Sequence, residues 1–370
     1  MRYPAVFFDS FQLEHNARLI LALCQRRGIK CSSVTKGIGA DERIVAAWYR
    51  AGFRDFADSR LQNLAEIRRT YGRDVSLMLL RLPAASEAHD VVRLCDVSLN
   101  SELETIRLLG QAARQLKHPH EIILMTDLGD LREGLLPEHL LDAVREIVNI
   151  PAIKLAGIGV NYTCYGGVLP SVDSYKELTH LVHQAEALTE YPLQLVSGGN
   201  SSSLPLILGS GNLGRVNHLR IGEALLLGRE TAFGENIPGL YTKAFILEAE
   251  VVELQCKPTL PRGEAGRDAF GGVPLFEDRG FRIRAVLALG KQDAVVEQLL
   301  PEAEGADILG ASSDHLIVDV TDAPPVKVGD TMRFELRYGA LLHLMTSSYV
   351  VKYERSDPLL CRHLALAAQV

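Results

Sequence analysis

The sequence lacks several features that mark common classes of protein. Its 370 residues contain no cluster of four or more lysines and arginines, and the formal net charge is −7. That balance argues against nucleic acid or an anionic membrane as a partner. No apolar run approaches the roughly 18 residues that span a bilayer, and Met1-Arg2-Tyr3-Pro4 does not open a signal peptide. We therefore expect a cytoplasmic protein.

Cysteine is sparse as well. The six cysteines stand singly, at positions 24, 31, 95, 164, 256 and 361, with no CxxC pair and no histidine-rich spacing. We therefore expect no metal site, no disulfide framework and reduced thiols. The Gly-x-Ser-x-Gly elbow is also missing, which makes a Ser-His-Asp hydrolase a poor fit.

What the chain does have is alternation. From residue 33 to about 222, strand-like segments alternate with amphipathic helix-like ones, which is typical of βα units. The strand candidates are Ser33–Lys36, Phe53–Asp58, Ser76–Arg81, Val97–Asn100, Glu121–Asp127, Lys154–Val160, Leu193–Ser197 and His218–Ile221. Eight repeats predict an α/β fold, a (β/α)₈ TIM barrel. An open doubly wound sheet is the alternative, but the GxGxxG match at 209–214 neither follows a convincing strand nor opens a helix.

The pattern of predicted secondary structure changes after about residue 240. Short strand-like segments follow, separated by turns rich in proline and glycine: Phe245–Leu254, Phe281–Leu289, His315–Val320, Thr331–Leu336 and Ser348–Tyr353. We predict a barrel domain over residues 1–240 and a mostly β C-terminal domain over 241–370. The strand-like start at residues 5–9 is a candidate member of the β domain.

Lys36 is the most informative residue of the barrel. Chemistry in such barrels collects at the carboxyl ends of the strands, and Lys36 ends the first predicted strand beside the flexible Gly37-Ile38-Gly39. A lysine with room around it can form a Schiff base with an aldehyde cofactor. Polar residues also close or follow other strands: Asp58, Arg81, Asn100, Asp127, Asn161, Asn200 and Arg220.

Two later loops have the composition of a phosphate site. Ser197–Ser203 offers backbone N–H groups, hydroxyls and glycines ahead of a plausible helix start, and Arg220-Ile221-Gly222 lies in the next loop. The loops after strands seven and eight are the usual phosphate grip of such barrels. Together with Lys36, they suggest pyridoxal 5′-phosphate (PLP).

Three further groups carry hypotheses with alternatives. Arg132, after the fifth strand, suits a substrate carboxylate, and an ion pair with Glu133 or Asp130 is the alternative. Asp314-His315 is a possible acid/base pair, and a structural histidine is the alternative. A barrel glycosidase that uses Asp58 and Asp127 would leave the lysine and arginines without roles.

At this point the chain resembles the alanine-racemase-like, fold type III PLP enzymes over nearly its whole length, with ornithine racemase and related amino-acid racemases as the nearest branch. The stretches that carry the resemblance are Val34–Lys36, Phe56–Leu64, Asp127–Gly134, Gly157–Gly167, Gly199–Ser201, Arg220–Glu223 and Gly310–His315. The resemblance implies a PLP barrel followed by a β domain. It also implies a head-to-tail homodimer in which each β domain covers the partner's barrel mouth.

The resemblance also implies roles for individual residues. Lys36 is similar to the Schiff-base lysine, and Arg220 to the arginine that faces the pyridine nitrogen. Arg132 lies where the family binds the substrate carboxylate, with Asn161 as a second substrate-binding candidate. The cofactor-binding set implied here is Lys36, Asn200, Ser201, Arg220, Gly222, Glu223 and Tyr353.

The chain departs from the family at the second acid/base. The family's tyrosine motif corresponds to Leu287–Asp293, which contains no tyrosine. Racemisation needs a proton donor on each face of the substrate, so we expect Lys36 on one face and Asp314, His315 or Lys291 on the other. The prediction is a racemase of a basic or other non-alanine amino acid, with Asp58 or Glu223 offered for a distal ammonium. Alternatives are a PLP lyase or decarboxylase, an alanine or serine racemase, and a non-catalytic PLP carrier.

Overall fold

The computed structural model describes residues 1–355 and divides into two compact units. One unit runs from Phe11 to Thr242, and the other joins Met1–Ser10 to the chain from Lys243 onward. Residues 356–370 of the predicted C-terminal domain, with Cys361, lie outside the described residues. Within residues 1–355, no helix is both long enough and apolar enough to cross a bilayer.

The first unit is a closed barrel of eight parallel strands. After β1 (Ala5–Phe8), the barrel strands are β2 (Lys30–Val34), β3 (Asp55–Asp58), β4 (Ser76–Leu79), β5 (Val97–Asn100), β6 (His120–Met125), β7 (Ile153–Gly159), β8 (Leu195–Ser197) and β9 (His218–Ile221). Closure is made by β9, which pairs with β2 from Lys30↔His218 to Ser33↔Ile221. The (β/α)₈ prediction is confirmed, and the open sheet is wrong.

Helices connect the strands. They are α1 (Ser10–Arg26), α2 (Glu42–Ala51), α3 (Leu61–Tyr71), α4 (Ala88–Leu94), α5 (Leu103–Leu116), α6 (Pro137–Ile147), α7 (Val172–Thr189), α8 (Leu204–Leu208) and α9 (Glu223–Leu227). Helix α2 shows why they form. The Asp41 side chain caps it by accepting from the Arg43 N–H, Trp48 is fully buried on its inner face, and Gly52 ends it at φ 111°.

Alternate residues of the barrel strands point inward. These buried side chains are apolar on one side of the barrel and polar on the other. On one side lies a contiguous apolar cluster, which we call the apolar sector: Val34, Ala57, Met78, Val97, Leu99, Ile123 and Met125. On the other side, β2, β8 and β9 carry buried polar residues, which we call the polar sector: Ser32, Ser197, His218 and Arg220. Packing dominates the first sector and hydrogen bonds dominate the second.

The second unit is an eight-stranded, mostly antiparallel sheet with one helix. Its elements after the barrel are β10 (Phe245–Pro258), β11 (Phe281–Leu287), β12 (Leu299–Pro301), β13 (Asp307–Ala311), β14 (Leu316–Asp319), β15 (Thr331–Leu336), α10 (Tyr338–Thr346) and β16 (Val351–Glu354). Strand β1 pairs antiparallel with β10 and parallel with β16, so the chain's first strand belongs to this sheet. The predicted mostly β domain is confirmed as a fold class; β12, β13 and α10 were not foreseen.

Candidate active site

Lys36 lies just past the end of β2. The strand ends at Val34, and Lys36 begins a single 3-10 turn, Lys36–Ile38, that Gly39 closes in the left-handed conformation. The predicted strand Ser33–Lys36 was therefore placed too late, because Thr35 already has helical backbone angles. Burial lowers the pKa of the half-buried Lys36 ammonium, with neighbouring charges acting in both directions. A lysine with a lowered pKa is neutral for a larger share of the time and so is a better base and nucleophile.

Asp58 supports the turn that carries Lys36. Its carboxylate is fully buried and accepts hydrogen bonds from Thr35 Oγ1 (2.5 Å), the Arg60 N–H (2.9 Å) and Asn63 Nδ2 (3.1 Å). Burial raises its pKa, and these donors oppose the rise. Because its oxygens are committed inside the protein, Asp58 positions Thr35 and is a poor candidate for a distal ammonium.

Arg220 is a buried cation with neutral partners. It projects from β9, is 5% exposed, and donates to the Ser197 hydroxyl, to the Val160 carbonyl (2.9 Å) and to Asn161 Oδ1 (3.3 Å). Burial lowers its pKa to about 10, so it remains protonated at neutral pH. A guanidinium in this position can donate hydrogen bonds but cannot serve as a proton source.

The Asn161 amide lies where several donors converge. In one orientation its oxygen accepts from Asn200 Nδ2 (3.1 Å) and from Arg220. With the amide turned over, the oxygen instead accepts from Arg132 Nη1 (3.0 Å). A single amide oxygen cannot satisfy both sides, so this part of the barrel mouth has more donors than acceptors. Such an excess suits an anionic ligand.

Arg132 is paired with its neighbour in this structure. Its guanidinium donates through Nε and Nη2 to the two carboxylate oxygens of Glu133. Burial lowers the Arg132 pKa, but the bonds to Glu133 and the nearby Cys164 and Asp130 raise it by more. The structure therefore shows the ion pair with Glu133, and because that pair does not use Nη1, the Nη1 side of the guanidinium can still meet a substrate carboxylate. The substrate-binding role of Arg132 stays a prediction.

The loops after β8 and β9 form a cradle. Asn200 Oδ1 caps the 3-10 turn Ser201–Ser203 by accepting from the Ser202 N–H (2.8 Å), and Ser201 Oγ accepts from the Ala224 N–H (3.2 Å), which ties the two loops together. Gly199 has φ 118°, and an added Cβ would lie 2.6 Å from Ser203 Oγ. Ser202 Oγ is buried and has no partner within residues 1–355. Within the described part of the chain this hydroxyl is therefore available to donate to a bound ligand or a water molecule.

Gly222 and Glu223 complete this cradle on the β9 side. Gly222 is the N-cap of α9, so the first N–H groups of that helix begin here. The Glu223 side chain turns away to accept from Thr231 Oγ1 (3.1 Å), and burial raises its pKa. Because its carboxylate is bound to Thr231, the Glu223 side chain is a poor candidate for a distal ammonium, and the cofactor-binding role of Glu223 stays a prediction.

The remaining predicted residues lie in the β domain. Asp314 and His315 are exposed, and His315 Nδ1 lies 3.4 Å from Asp314 Oδ1. The backbone N–H of Lys291 donates to the Ser312 carbonyl (3.0 Å). The three candidates for the second acid/base therefore lie at the same end of the sheet. Hydrogen bonds from Ser313 lead the effects that lower the pKa of Asp314. Tyr353 stacks on Phe7 with ring centroids 5.3 Å apart. All four assignments stay predictions.

Sequence reasoning missed several residues of the barrel site. His218 lies in an apolar strand pattern that gives no hint of its contacts, and Ser197 was read only as part of a phosphate loop. Cys164, which the sequence analysis gave no site role, is exposed, with its Sγ 3.1 Å from Asn161 Nδ2. The spacing His218-Leu219-Arg220 was the one available signal, since residues two apart share a strand face.

Comparison with known families decides the relationship. The model of the family described as alanine racemase, N-terminal domain, matches residues 8–230. The chain belongs to the alanine racemase N-terminal domain family.

Relatives in this family extend beyond the barrel. The ornithine racemase of Acetoanaerobium sticklandii is 45% identical over 353 residues, which are 95% of this chain and 99% of that protein. The lysine racemase of Thermotoga maritima is 38% identical over 358 residues, 96% of this chain and 100% of that protein. Among solved structures, alanine racemase from Bartonella henselae with covalently bound pyridoxal phosphate is similar with a TM-score of 0.72, at 18% identity, over 96% of this chain and 100% of that one. That last likeness concerns the fold.

Proposed function

We propose that the protein is a PLP-dependent racemase of basic amino acids, with ornithine and lysine as the first candidates. The observation that carries the proposal is the mouth of the barrel. There burial lowers the pKa of Lys36, and the positive charges of Arg132 and Arg220 act on it in the same direction. The matches to an ornithine racemase and a lysine racemase, each along nearly the full chain, support the reaction and the substrate class.

The residues present fit the cofactor. Lys36 would hold it covalently through Nζ, and Arg220 would donate to its ring nitrogen. The phosphate would lie against Asn200, Ser201, Gly222 and the Glu223 backbone, where the orphaned Ser202 hydroxyl supplies a further donor. When bound, PLP withdraws electrons from the substrate and makes its Cα–H acidic.

The protein's own residues do the rest. Once the substrate amine has replaced Lys36 on the cofactor, Lys36 Nζ would be free to take a proton from Cα on one face, which its lowered pKa favours. On the opposite face, Asp314, His315 or Lys291 of the partner subunit would give a proton to Cα, and the two roles exchange in the reverse direction. Arg132 would bind the substrate carboxylate through N–H donors that Glu133 does not occupy. Arg220, which stays protonated, donates without transferring a proton.

Two further proposals concern the assembled protein. We infer a head-to-tail homodimer, and the exposed apolar side chains Phe270, Val273, Leu275 and Phe276 of the β domain support an interface there. Sedimentation at several concentrations tests the dimer.

We infer a cytoplasmic location, which the unpaired thiols of Cys24, Cys31 and Cys95 support.

The deciding experiment is deuterium incorporation at Cα. The PLP-loaded protein is incubated in D₂O with L-ornithine, L-lysine, L-alanine or L-serine, followed by NMR and chiral chromatography. Deuterium gain with the D-isomer, fastest for the basic substrates, supports the proposal. Gain without inversion would show that only one face is served, and release of CO₂ or ammonia would favour a decarboxylase or lyase. PLP binding without exchange would point to a carrier.

A further inference from the structure

A chain of buried hydrogen bonds runs behind Arg220. Arg220 Nη1 donates to Ser197 Oγ, the same oxygen lies 2.8 Å from His218 Nδ1, and His218 Nε2 lies 2.9 Å from Ser32 Oγ. All four residues are buried, and none is more than 5% exposed. Strand register fixes the chain, because Ser32 pairs with Arg220 across β2 and β9, and Ser197 pairs with His218 across β8 and β9.

Two placements of the protons satisfy these contacts in the neutral ring. A guanidinium only donates, so Ser197 must accept from Arg220 in both. In one, the Ser197 hydroxyl donates to His218 Nδ1, and the Nε2–H donates to Ser32 Oγ. In the other, the Nδ1–H donates to the second lone pair of Ser197 Oγ, and the Ser32 hydroxyl donates to Nε2. Either way the hydrogen bond to the ring fixes the rotation of the Ser197 hydroxyl. Burial, with Arg220 and Lys30 nearby, lowers the pKa of His218 to about 3, so the neutral ring that this arrangement needs is the stable form.

The geometry points to His218 as the positioning residue for Arg220. The imidazole, acting through the Ser197 hydroxyl, fixes the lone pair that receives Nη1 and thereby the direction of the guanidinium. Without the imidazole, the Ser197 hydroxyl would be free to rotate and could turn its proton toward Arg220. The other acceptors, Val160 O and Asn161 Oδ1, both receive Nη2, so Ser197 alone among these three orients Nη1. The consequence for the cofactor ring rests on the proposed function; the hydrogen-bonded arrangement itself does not.

The test compares three variants of the full chain. His218→Leu removes both ring nitrogens, His218→Asn restores an acceptor at the Nδ1 position, and Ser197→Ala removes the relay oxygen. For the PLP-loaded protein we expect His218→Leu and Ser197→Ala to weaken PLP affinity about tenfold or more and to shift the absorbance of the bound cofactor. His218→Asn should recover most of both. Equal PLP affinity and an unchanged spectrum in the Leu and Ala variants would overturn the proposal.

A second measurement separates this proposal from the proposed function. In the apoprotein at pH 7, ¹⁵N NMR should show His218 as a neutral ring in a single tautomer and a slowly rotating Arg220 guanidinium signal. Ser197→Ala should release that rotation without unfolding the protein, as judged by circular dichroism. A charged His218, a mixture of tautomers or an unaffected Arg220 signal contradicts the positioning role, whatever the enzyme catalyses. If these signals are as expected but no PLP binds, the proposed function fails and the positioning role stands.

Discussion

The two sectors of the barrel interior are stabilised by different interactions. The apolar sector consists of side chains whose burial stabilises the fold and which tolerate changes of similar volume. In the polar sector, four hydrogen-bonding groups depend on one another, because an unpaired buried donor or acceptor costs free energy. We therefore expect substitutions in the apolar sector to change stability first, and substitutions on the polar side of the barrel to change ligand binding first.

The largest effect is expected at Lys36, next to the polar sector. Lys36→Ala should lower Cα exchange by a factor on the order of 10³ or more, because it removes both the covalent anchor and the base. Lys30→Ala is the matched control: Lys30 begins β2, the strand that precedes Lys36, but it pairs with Asp55 at 2.7 Å and is half exposed. Deuterium incorporation measures both. Retention of exchange and of the cofactor absorbance in Lys36→Ala would disprove the central assignment.

The apolar sector can be probed at Ile123, which is fully buried. Ile123→Ala should lower the free energy of unfolding by about 2–5 kcal/mol through lost burial and a residual cavity. PLP affinity of the folded protein should stay close to that of the unsubstituted chain. Chemical denaturation and PLP titration test the two halves of this statement. A large loss of PLP affinity with little change in the free energy of unfolding would contradict the proposed difference between the two sectors.

A backbone change tests the loop after β8. Gly199→Ala places a Cβ 2.6 Å from Ser203 Oγ at φ 118°, so we expect a loss of about 1–3 kcal/mol together with weaker PLP binding. Gly28→Ala is the control, since Gly28 also has positive φ (67°) but nothing lies within 4 Å of its added Cβ. The control should lose only about 1 kcal/mol and keep its PLP affinity. Equal effects of the two variants on PLP binding would contradict a cradle at Gly199.

The smallest expected effect is a dependence of stability on acid. His218 has a folded pKa of about 3, so below its ordinary value near 6.5 the unfolded chain binds a proton that the folded protein does not. Stability therefore falls as the pH falls, by about 2 kcal/mol between pH 7 and pH 5 from this residue. His218→Asn should remove that part of the slope. Denaturation at pH 7, 6 and 5 gives the comparison, and an unchanged slope in the variant would count against a neutral buried ring.

Much of the fold could be predicted because βα alternation leaves a periodic signal. The strands at Val97–Asn100 and His218–Ile221 have the bounds that the sequence predicted, whereas β2 runs earlier than expected because Thr35 turns out of the strand to meet Asp58. Short elements without a periodic signal, such as Leu299–Pro301, were not found.

The site divides in the same way. Lys36 and Arg220 could be predicted from their positions at strand ends. The pairing of Arg132 with Glu133 remained one of two alternatives, since a loop sequence does not fix which partner an arginine chooses. His218 could not be predicted as a contact of Ser197 and Ser32, because these contacts depend on strand register and barrel closure. Contacts of this kind are set by the tertiary structure and leave no periodic pattern in the sequence.

The position of β1 has a consequence for how the chain is made. Ala5–Phe8 is wholly buried, yet its partners are β10 and β16, where Ala5 meets Glu248 and Val351. During synthesis the whole barrel segment emerges before either partner strand exists. The nascent chain therefore carries an apolar strand with an unsatisfied edge at its leading end for most of translation, a state prone to aggregation. We expect the yield of folded protein to depend on keeping this segment from aggregating until β10 and β16 have been made, more than on the stability of the finished fold.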